Sequence, residues 1–102
     1  MNSTSIYLKA IDHYGSRNQL IKLIEEMDEL SKEICKYLVM DPESPKLESE
    51  IDHIAEETAD VFIMLQQLTL IFPDMEQQFT DWKRLKILRL KSRIEKEEIC
   101  VS

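Results

Sequence analysis

The sequence predicts an all-α protein, an antiparallel bundle of about four helices. A single glycine and three prolines among 102 residues suit long helices and leave few residues for the turns of a β protein. Apolar residues recur at spacings of three and four along most of the chain, as amphipathic helices require. A chain of this length is expected to form one domain, residues 1–102, around one modest core.

The first half of the chain predicts a short helix and a long one. The short helix covers residues 4–14, and Gly15 suits the left-handed position that follows a helix end. Ser16 with Gln19 three residues later matches a capping box, so the second helix is expected over residues 17–40. Its apolar stripe, expected to be buried, contains Leu20, Leu23, Ile24, Met27, Leu30, Ile34 and Leu38.

The second half predicts another helix pair. The segment DPESPK, residues 41–46, ends the second helix, and Ser44 is the expected N-cap of a third helix with Pro45 at its first position. This helix continues to Phe72, and a fourth covers residues 74–97. The third helix is expected to bury Leu47, Ile51, Ile54, Ala55, Val61, Phe62, Leu65 and Leu68.

Charge and composition exclude several classes of function. The net charge of −7 argues against general nucleic-acid binding. The chain has no run of 18 apolar residues, so no membrane span is expected. The N-terminus lacks the pattern of a secretory signal. Cys35 and Cys100 are isolated, which fits a reduced, cytoplasmic protein. The balance is −11 over residues 1–82 and +4 over residues 83–102, so the acidic body and the basic end are expected to differ in role.

Acidic side chains form a ridge on each of the two long helices. At about 100° per residue, Glu26, Glu29 and Glu33 lie on the shoulder of the apolar stripe of the second helix. Glu57 and Asp60 take the corresponding position on the third helix. His53 lies on the same ridge as this second pair.

A short loop between the long helices makes them antiparallel neighbours, so residues equidistant from the loop face each other. Glu26 and Asp60 are each 17 positions from Glu43, and Glu29 and Glu57 are each 14 positions away. Four carboxylates therefore converge at one level of the predicted hairpin. Oxygen ligands on rigid helices suit Mg²⁺ or Mn²⁺. Zinc is disfavoured because neither cysteine is near this level. A ferritin-like di-iron site is also disfavoured, because it needs Glu-x-x-His on two helices and we expect no such motif in this chain.

The motif EEMDE at residues 25–29, separated by 27 residues from ETAD at 57–60, resembles the EExxE…ExxD signature of the all-α MazG-like nucleotide pyrophosphohydrolases. The flanking text YGSRNQLIKLIEEMDEL and IAEETADVFIMLQQL is similar to the two motif helices of that family. The resemblance implies Mg²⁺-dependent cleavage of a nucleoside triphosphate, usually a deoxy form, between the α and β phosphates. Monophosphate and pyrophosphate are the implied products, and dimers or tetramers the implied assemblies.

Carried over residue by residue, the resemblance implies that Glu26, Glu29, Glu57 and Asp60 bind the metal. Glu25 matches the remaining acid of the motif, although it points toward the polar face of its helix. One carboxylate, Glu26 or Glu29, is expected to orient the attacking water or take its proton. The residues do not decide between the two.

Substrate contacts are expected from two further places. Lys86, Arg89 and Arg93 share one side of the fourth helix and can supply cationic donors to phosphates, although a solvated basic face is an equal alternative. An asparagine that commonly accompanies them in the family is missing. Gln19 lies where the family often has a polar residue near the nucleobase, and helix capping explains it equally well.

Two interpretations of the whole chain stay open, a hydrolase and a non-catalytic helical interaction or regulatory module that retains the fold. The four acids favour the hydrolase. Ile63, Leu70 and Ile71 lie away from the main apolar stripe of the third helix, so a homodimer or homotetramer is expected to complete the bundle.

Overall fold

The structure of the protein is a computed structural model, which describes the backbone of residues 2–101 and the side chains of residues 2–99. It contains four α-helices: α1 (Ser3–Tyr14), α2 (Ser16–Leu38), α3 (Leu47–Ile71) and α4 (Met75–Val101). Within these residues there is no strand, so the predicted all-α class with four helices is confirmed. The chain forms two compact units, one up to Ile71 and one from Phe72 onward.

The junction between α1 and α2 is set by a glycine. Gly15 has φ of +94° and ψ of 144°, a conformation open to glycine at little cost, and its N–H donates to the carbonyl of Ile11 at 2.9 Å. The predicted capping box is wrong. No side chain caps the start of α2, because Ser16 is already helical and the amide of Gln19 is buried against Gln67.

The other helix ends differ from prediction by a few residues. The α2 helix ends at Leu38, two residues before the expected end. Pro45 is not helical, because Ser44 forms a turn instead: its hydroxyl accepts from the Lys46 N–H at 3.2 Å and its carbonyl from the Leu47 N–H at 3.2 Å. The fourth helix begins after Asp74, which has a φ of 62°, and extends past the expected residue 97.

The main packing of the first unit is the antiparallel hairpin of α2 and α3, with α1 against both. Tyr7 of α1 donates its hydroxyl proton to Oε1 of Gln66 on α3 at 2.5 Å, which ties the short helix to the hairpin. The buried apolar side chains are Leu23, Val61 and Met64. They lie in the hairpin seam.

The face of each helix that enters the seam is not the one predicted. The least exposed positions of α2 follow the alternating four-and-three spacing of a helix pair, and the acids occupy this seam with the leucines. Because α3 packs on the flank of the apolar stripe, the expected burial of much of that stripe, and of its counterpart on α3, is wrong. The exposed members are Ile24, Met27, Ile34, Leu38, Ile51, Ala55, Phe62 and Leu65.

The second unit consists mainly of α4, whose side chains from Glu76 to Ile99 are all exposed. Two ion pairs run along its surface, from Arg84 to Asp81 at 3.8 Å and from Lys91 to Glu95 at 3.9 Å. Among the described helices of the whole chain, none is long and apolar enough to cross a membrane.

Candidate metal centre

Three of the four predicted ligands come together in the hairpin. Glu26 of α2 and Glu57 and Asp60 of α3 each offer a carboxylate oxygen that lies within 4.8 Å of the other two. We call these three residues the central cluster. Glu29 is not part of this group. Its charge nevertheless contributes to the raised pKa of Glu57, so Glu29 lies close enough to interact with the central cluster electrostatically.

The position of the central cluster follows from the seam. Glu26 lies three residues after the buried Leu23, and Glu57 lies four residues before the buried Val61, so both acids are held among apolar seam residues. Only 13% of the Glu26 side chain is exposed. The helices fix the backbone positions of these acids and so hold their side chains at one level of the hairpin.

The electrostatics of the central cluster are those of unneutralised acids. Burial raises the pKa of Glu57, and the charges of Asp60 and Glu26 raise it further. Burial likewise raises the pKa of Asp60, with the charge of Glu26 as the next cause. Oε2 of Glu57 is buried and has no hydrogen-bond partner. A buried acceptor without a donor is costly, and a cation can satisfy it.

One lysine, which the sequence analysis missed, partly neutralises the central cluster. Nζ of Lys22 lies 3.0 Å from Oε1 of Glu26, and its hydrogen bond to that carboxylate raises the pKa of Lys22. The i, i+4 spacing of a lysine before a glutamate is the weaker order for a helical ion pair. Because this order is weak by itself, the negative charge of the surrounding acids must favour the contact. The i, i+4 spacing of Lys22 and Glu26 was the feature of the sequence from which the ion pair could have been predicted. Lys22 is 53% exposed, so solvent can receive its ammonium group.

A second group of ligand-type side chains lies nearer the loop. Glu33 of α2 and Glu50 and His53 of α3 also have donor atoms within 4.8 Å of one another. We call them the loop-side cluster. Glu33 and His53 were predicted to lie on the ridges of the central acids, and Glu50 was not among the predicted ligands. The signal was available, because Glu33 and His53 are each ten positions from Glu43. Glu50 with His53 also forms a Glu-x-x-His motif, so the expectation that the chain has no such motif was wrong.

The opposite end of the hairpin carries amides instead of acids. Nε2 of Gln19 donates to Oε1 of Gln67 at 2.6 Å, and Nε2 of Gln67 lies 3.8 Å from Sδ of Met64. Both glutamines are buried, at 8% and 4% exposure. Gln19 lies seven residues before Glu26 on α2, two helical turns from the central cluster. Its predicted contact with a base stays a prediction.

The predicted phosphate-binding residues belong to the second unit. Lys86, Arg89 and Arg93 are exposed on α4, and no acid of α4 forms an ion pair with them within the described residues. Arg84 and Lys91 of the same helix do have such pairs. The three predicted cations are therefore not neutralised by their own helix.

The donor set of the central cluster fits Mg²⁺. Its donor atoms are carboxylate oxygens, which a small hard cation prefers, and three such donors would leave further positions of the cation open to water. A cation would also supply a partner for the buried oxygen of Glu57. It would offset the repulsion that raises the pKa values of Glu57 and Asp60.

Comparisons with family models, with curated proteins and with solved structures find no match to this chain. The function of the chain is therefore inferred from its sequence motifs and from the geometry of the two clusters.

The raised pKa of Glu57 predicts a pH-dependent stability of the metal-free protein. Since its folded-state pKa lies above the ordinary value of 4.5, the folded state binds more protons than the unfolded state, and stability falls as the pH rises through that interval. Glu57→Gln removes the charge and keeps the shape. We expect this variant to melt higher than wild type at neutral pH in chelator, and the difference to vanish as the pH approaches 4.5.

Asp52→Asn is the matched control, because Asp52 is an exposed acid of the same helix. The test is to measure the melting temperatures of wild type, Glu57→Gln and Asp52→Asn in chelator between pH 4.5 and neutral pH. A Glu57→Gln protein that melts lower than wild type at neutral pH contradicts the account of repelling carboxylates.

Proposed function

We propose that the protein is a Mg²⁺-dependent nucleoside triphosphate pyrophosphohydrolase, which cleaves a nucleoside or deoxynucleoside triphosphate into a monophosphate and pyrophosphate. The observation that carries this proposal is the central cluster. Glu26, Glu57 and Asp60 meet across two helices around a buried, unpartnered carboxylate oxygen. These are three of the acids through which the chain resembles the MazG-like enzymes.

Glu26, Glu57 and Asp60 would hold the cation, with Glu29 at the edge of the site; Mn²⁺ suits the same ligands. When bound, the cation neutralises the triphosphate and lowers the pKa of an attacking water. Glu29 is the better candidate to accept the proton of that water, because Glu26 is engaged by Lys22 at 3.0 Å and Glu29 has no such ion pair in the described structure.

Phosphate binding is assigned to Lys86, Arg89 and Arg93. A triphosphate carries more charge than one divalent cation neutralises, so cationic side chains are needed in addition. These three are exposed and unpaired within α4, which leaves their donors available. Gln19 is retained as the proposed residue near the base.

We propose a homodimer or homotetramer as the functional assembly. The hairpin leaves large apolar side chains exposed on both helices, among them Ile24 at 56%, Met27 at 43% and Phe62 at 59%. Several large exposed apolar side chains on two neighbouring helices are characteristic of association sites. The same surface favours the alternative function, a non-catalytic helical interaction or regulatory module, in which this face binds another protein. A cytoplasmic location is proposed from the exposed free thiol of Cys35.

The catalytic prediction concerns products and metal dependence. With Mg²⁺ and a panel of the eight common nucleoside triphosphates, we expect release of pyrophosphate, not orthophosphate, from at least one of them. Glu57→Gln should lower kcat/KM by about 100-fold or more, because loss of a ligand exceeds the roughly 10–100-fold effect of outer-shell changes. The assay measures both phosphate products separately.

Glu48→Gln, at an exposed acid in the first turn of α3, is the control and should retain activity. Orthophosphate as the sole product, or full activity in excess chelator, contradicts the proposed reaction. No turnover of any nucleotide supports the interaction module.

The phosphate prediction concerns α4. Arg89→Ala and Arg93→Ala should each weaken kcat/KM by roughly 10- to 150-fold, since a lost charged hydrogen bond is worth about 1.5–3 kcal/mol. Arg84→Ala is the matched control, because Arg84 lies on the same helix and pairs with Asp81 at 3.8 Å. Steady-state kinetics within twofold of wild type for both Arg89→Ala and Arg93→Ala would leave the basic residues as a solvated face.

The assembly prediction concerns the exposed face of the hairpin. Sedimentation equilibrium should show a dimer or tetramer of the wild type, and Phe62→Glu should shift it toward monomer, because a charge in a buried apolar contact is strongly unfavourable. Ser49→Glu places the same charge at an exposed polar position of the same helix and should leave the assembly intact. A monomeric wild type at high protein concentration is the contrary result.

A further inference from the structure

The loop-side cluster repeats the central cluster two helical turns away. Glu33 lies seven residues after Glu26, while Glu50 and His53 lie seven residues before Glu57 and Asp60. Because the helices are antiparallel, both shifts lead toward the loop. The repeat differs at one position, where a histidine replaces an aspartate. The two clusters therefore share a backbone geometry and differ in donor chemistry.

Each of the two carboxylates in the loop-side cluster has one buried oxygen without a donor. Glu50 is only 7% exposed, and its Oε2, like Oε2 of Glu33, is buried with no donor from the rest of the described chain. The neighbouring carboxyl group of Glu33, together with burial, raises the pKa of Glu50. Two buried acids that face each other can be satisfied by one proton or by one cation. A cation is favoured over a proton where a third ligand lies close to the two carboxylates.

His53 provides that third ligand. Its imidazole is exposed at the side of the cluster, with a nitrogen within 4.8 Å of the carboxylate oxygens of Glu33 and Glu50. Bonds of about 2.1 Å to a common cation place ligand atoms roughly 3–4 Å apart, which side-chain rotations on fixed helices can reach. Lys36, with Nζ 3.2 Å from Oε1 of Glu33, is 52% exposed and can turn to solvent when a cation enters.

We propose that Glu33, Glu50 and His53 form a second metal site, which binds a first-row transition cation such as Zn²⁺ in preference to Mg²⁺. An imidazole nitrogen with two carboxylates suits Zn²⁺, Mn²⁺ or Fe²⁺, whereas Mg²⁺ prefers oxygen alone. A glutamate on one helix opposite a Glu-x-x-His motif on its neighbour is also the half-site from which helical di-metal carboxylate centres are built.

This site does not supply the second ion of a two-metal catalytic centre. A shift of seven residues is about 10 Å along a helix, whereas two catalytic ions lie roughly 3.5–4 Å apart. A cation here bridges α2 to α3 close to their connecting loop. Its role is to hold the hairpin closed, so that the occupancy of the loop-side cluster sets the stability of the helices that carry the central cluster.

The experiment is a Zn²⁺ titration of the full chain with Cys35 and Cys100 replaced by serine, so that thiols do not compete. Competition with a chromophoric chelator should show one tight site per chain, which excess Mg²⁺ does not displace. His53→Gln should weaken Zn²⁺ binding by about 100-fold or more, since a ligand is lost. His13→Gln, at the other exposed histidine, should leave it unchanged.

Two further readouts locate the ion. In NMR spectra the imidazole resonances of His53, and not those of His13, should shift when Zn²⁺ is added, and Zn²⁺ should raise the melting temperature of wild type but not of His53→Gln. Glu57→Gln should retain the site, so the result is independent of the proposed hydrolase. Equal affinity in the two histidine variants overturns the proposal. The proposal is also overturned if Zn²⁺ leaves the imidazole resonances of His53 unshifted and if Glu57→Gln weakens the binding of Zn²⁺.

Discussion

The structure of the first unit depends on the placement of acids in the seam between α2 and α3. A seam residue is held by its neighbours on both helices, so Glu26, Glu33 and Glu57 cannot turn their charges fully into water. Each cluster has one lysine at hand, Lys22 or Lys36, and each leaves at least one buried oxygen unpartnered. The helices gain the packing of Leu23, Val61 and Met64, and this apolar contact holds the acids together against their repulsion.

The sequence was sufficient to predict the helices and the pairing of α2 with α3. Counting from Glu43 placed Glu26 opposite Asp60 because a short loop leaves two antiparallel helices almost no choice of register. The central cluster followed from that pairing. The helix ends differ more from prediction. Ser44 and Ser16 are both caps by residue type, but only Ser44 accepts a backbone N–H, because Ser16 is itself the first helical residue after Gly15. Local residue preference does not decide between such alternatives.

Which face of α2 enters the seam was the main point that the sequence did not settle. An apolar arc centred on Met27 predicts that the acids lie beside the contact, whereas α3 packs on the flank that holds Leu23, Glu26 and Leu30. The reason is that two amphipathic helices can bury either flank of a wide apolar arc, and the unburied flank then needs another partner. For the same reason Glu50 was overlooked, since acids at seam positions count as polar in a periodicity analysis and are assigned to the surface.

The spacing of seven residues connects these points. Along the seam, Gln19, Glu26 and Glu33 face Gln67, Asp60 and His53 in three layers, and between the layers lie apolar side chains such as Leu23 and Val61. Amide faces amide in the first layer, which satisfies itself with one hydrogen bond at 2.6 Å. In the second layer a carboxylate faces a carboxylate. Two ionised carboxylates have no proton to share, so this layer needs a cation or a bound proton at neutral pH. In the third, an imidazole replaces one carboxylate, so the same backbone positions favour a softer ion. A helix pair can thus present three chemistries at fixed intervals, and the identity of one side chain in each layer decides which one it presents.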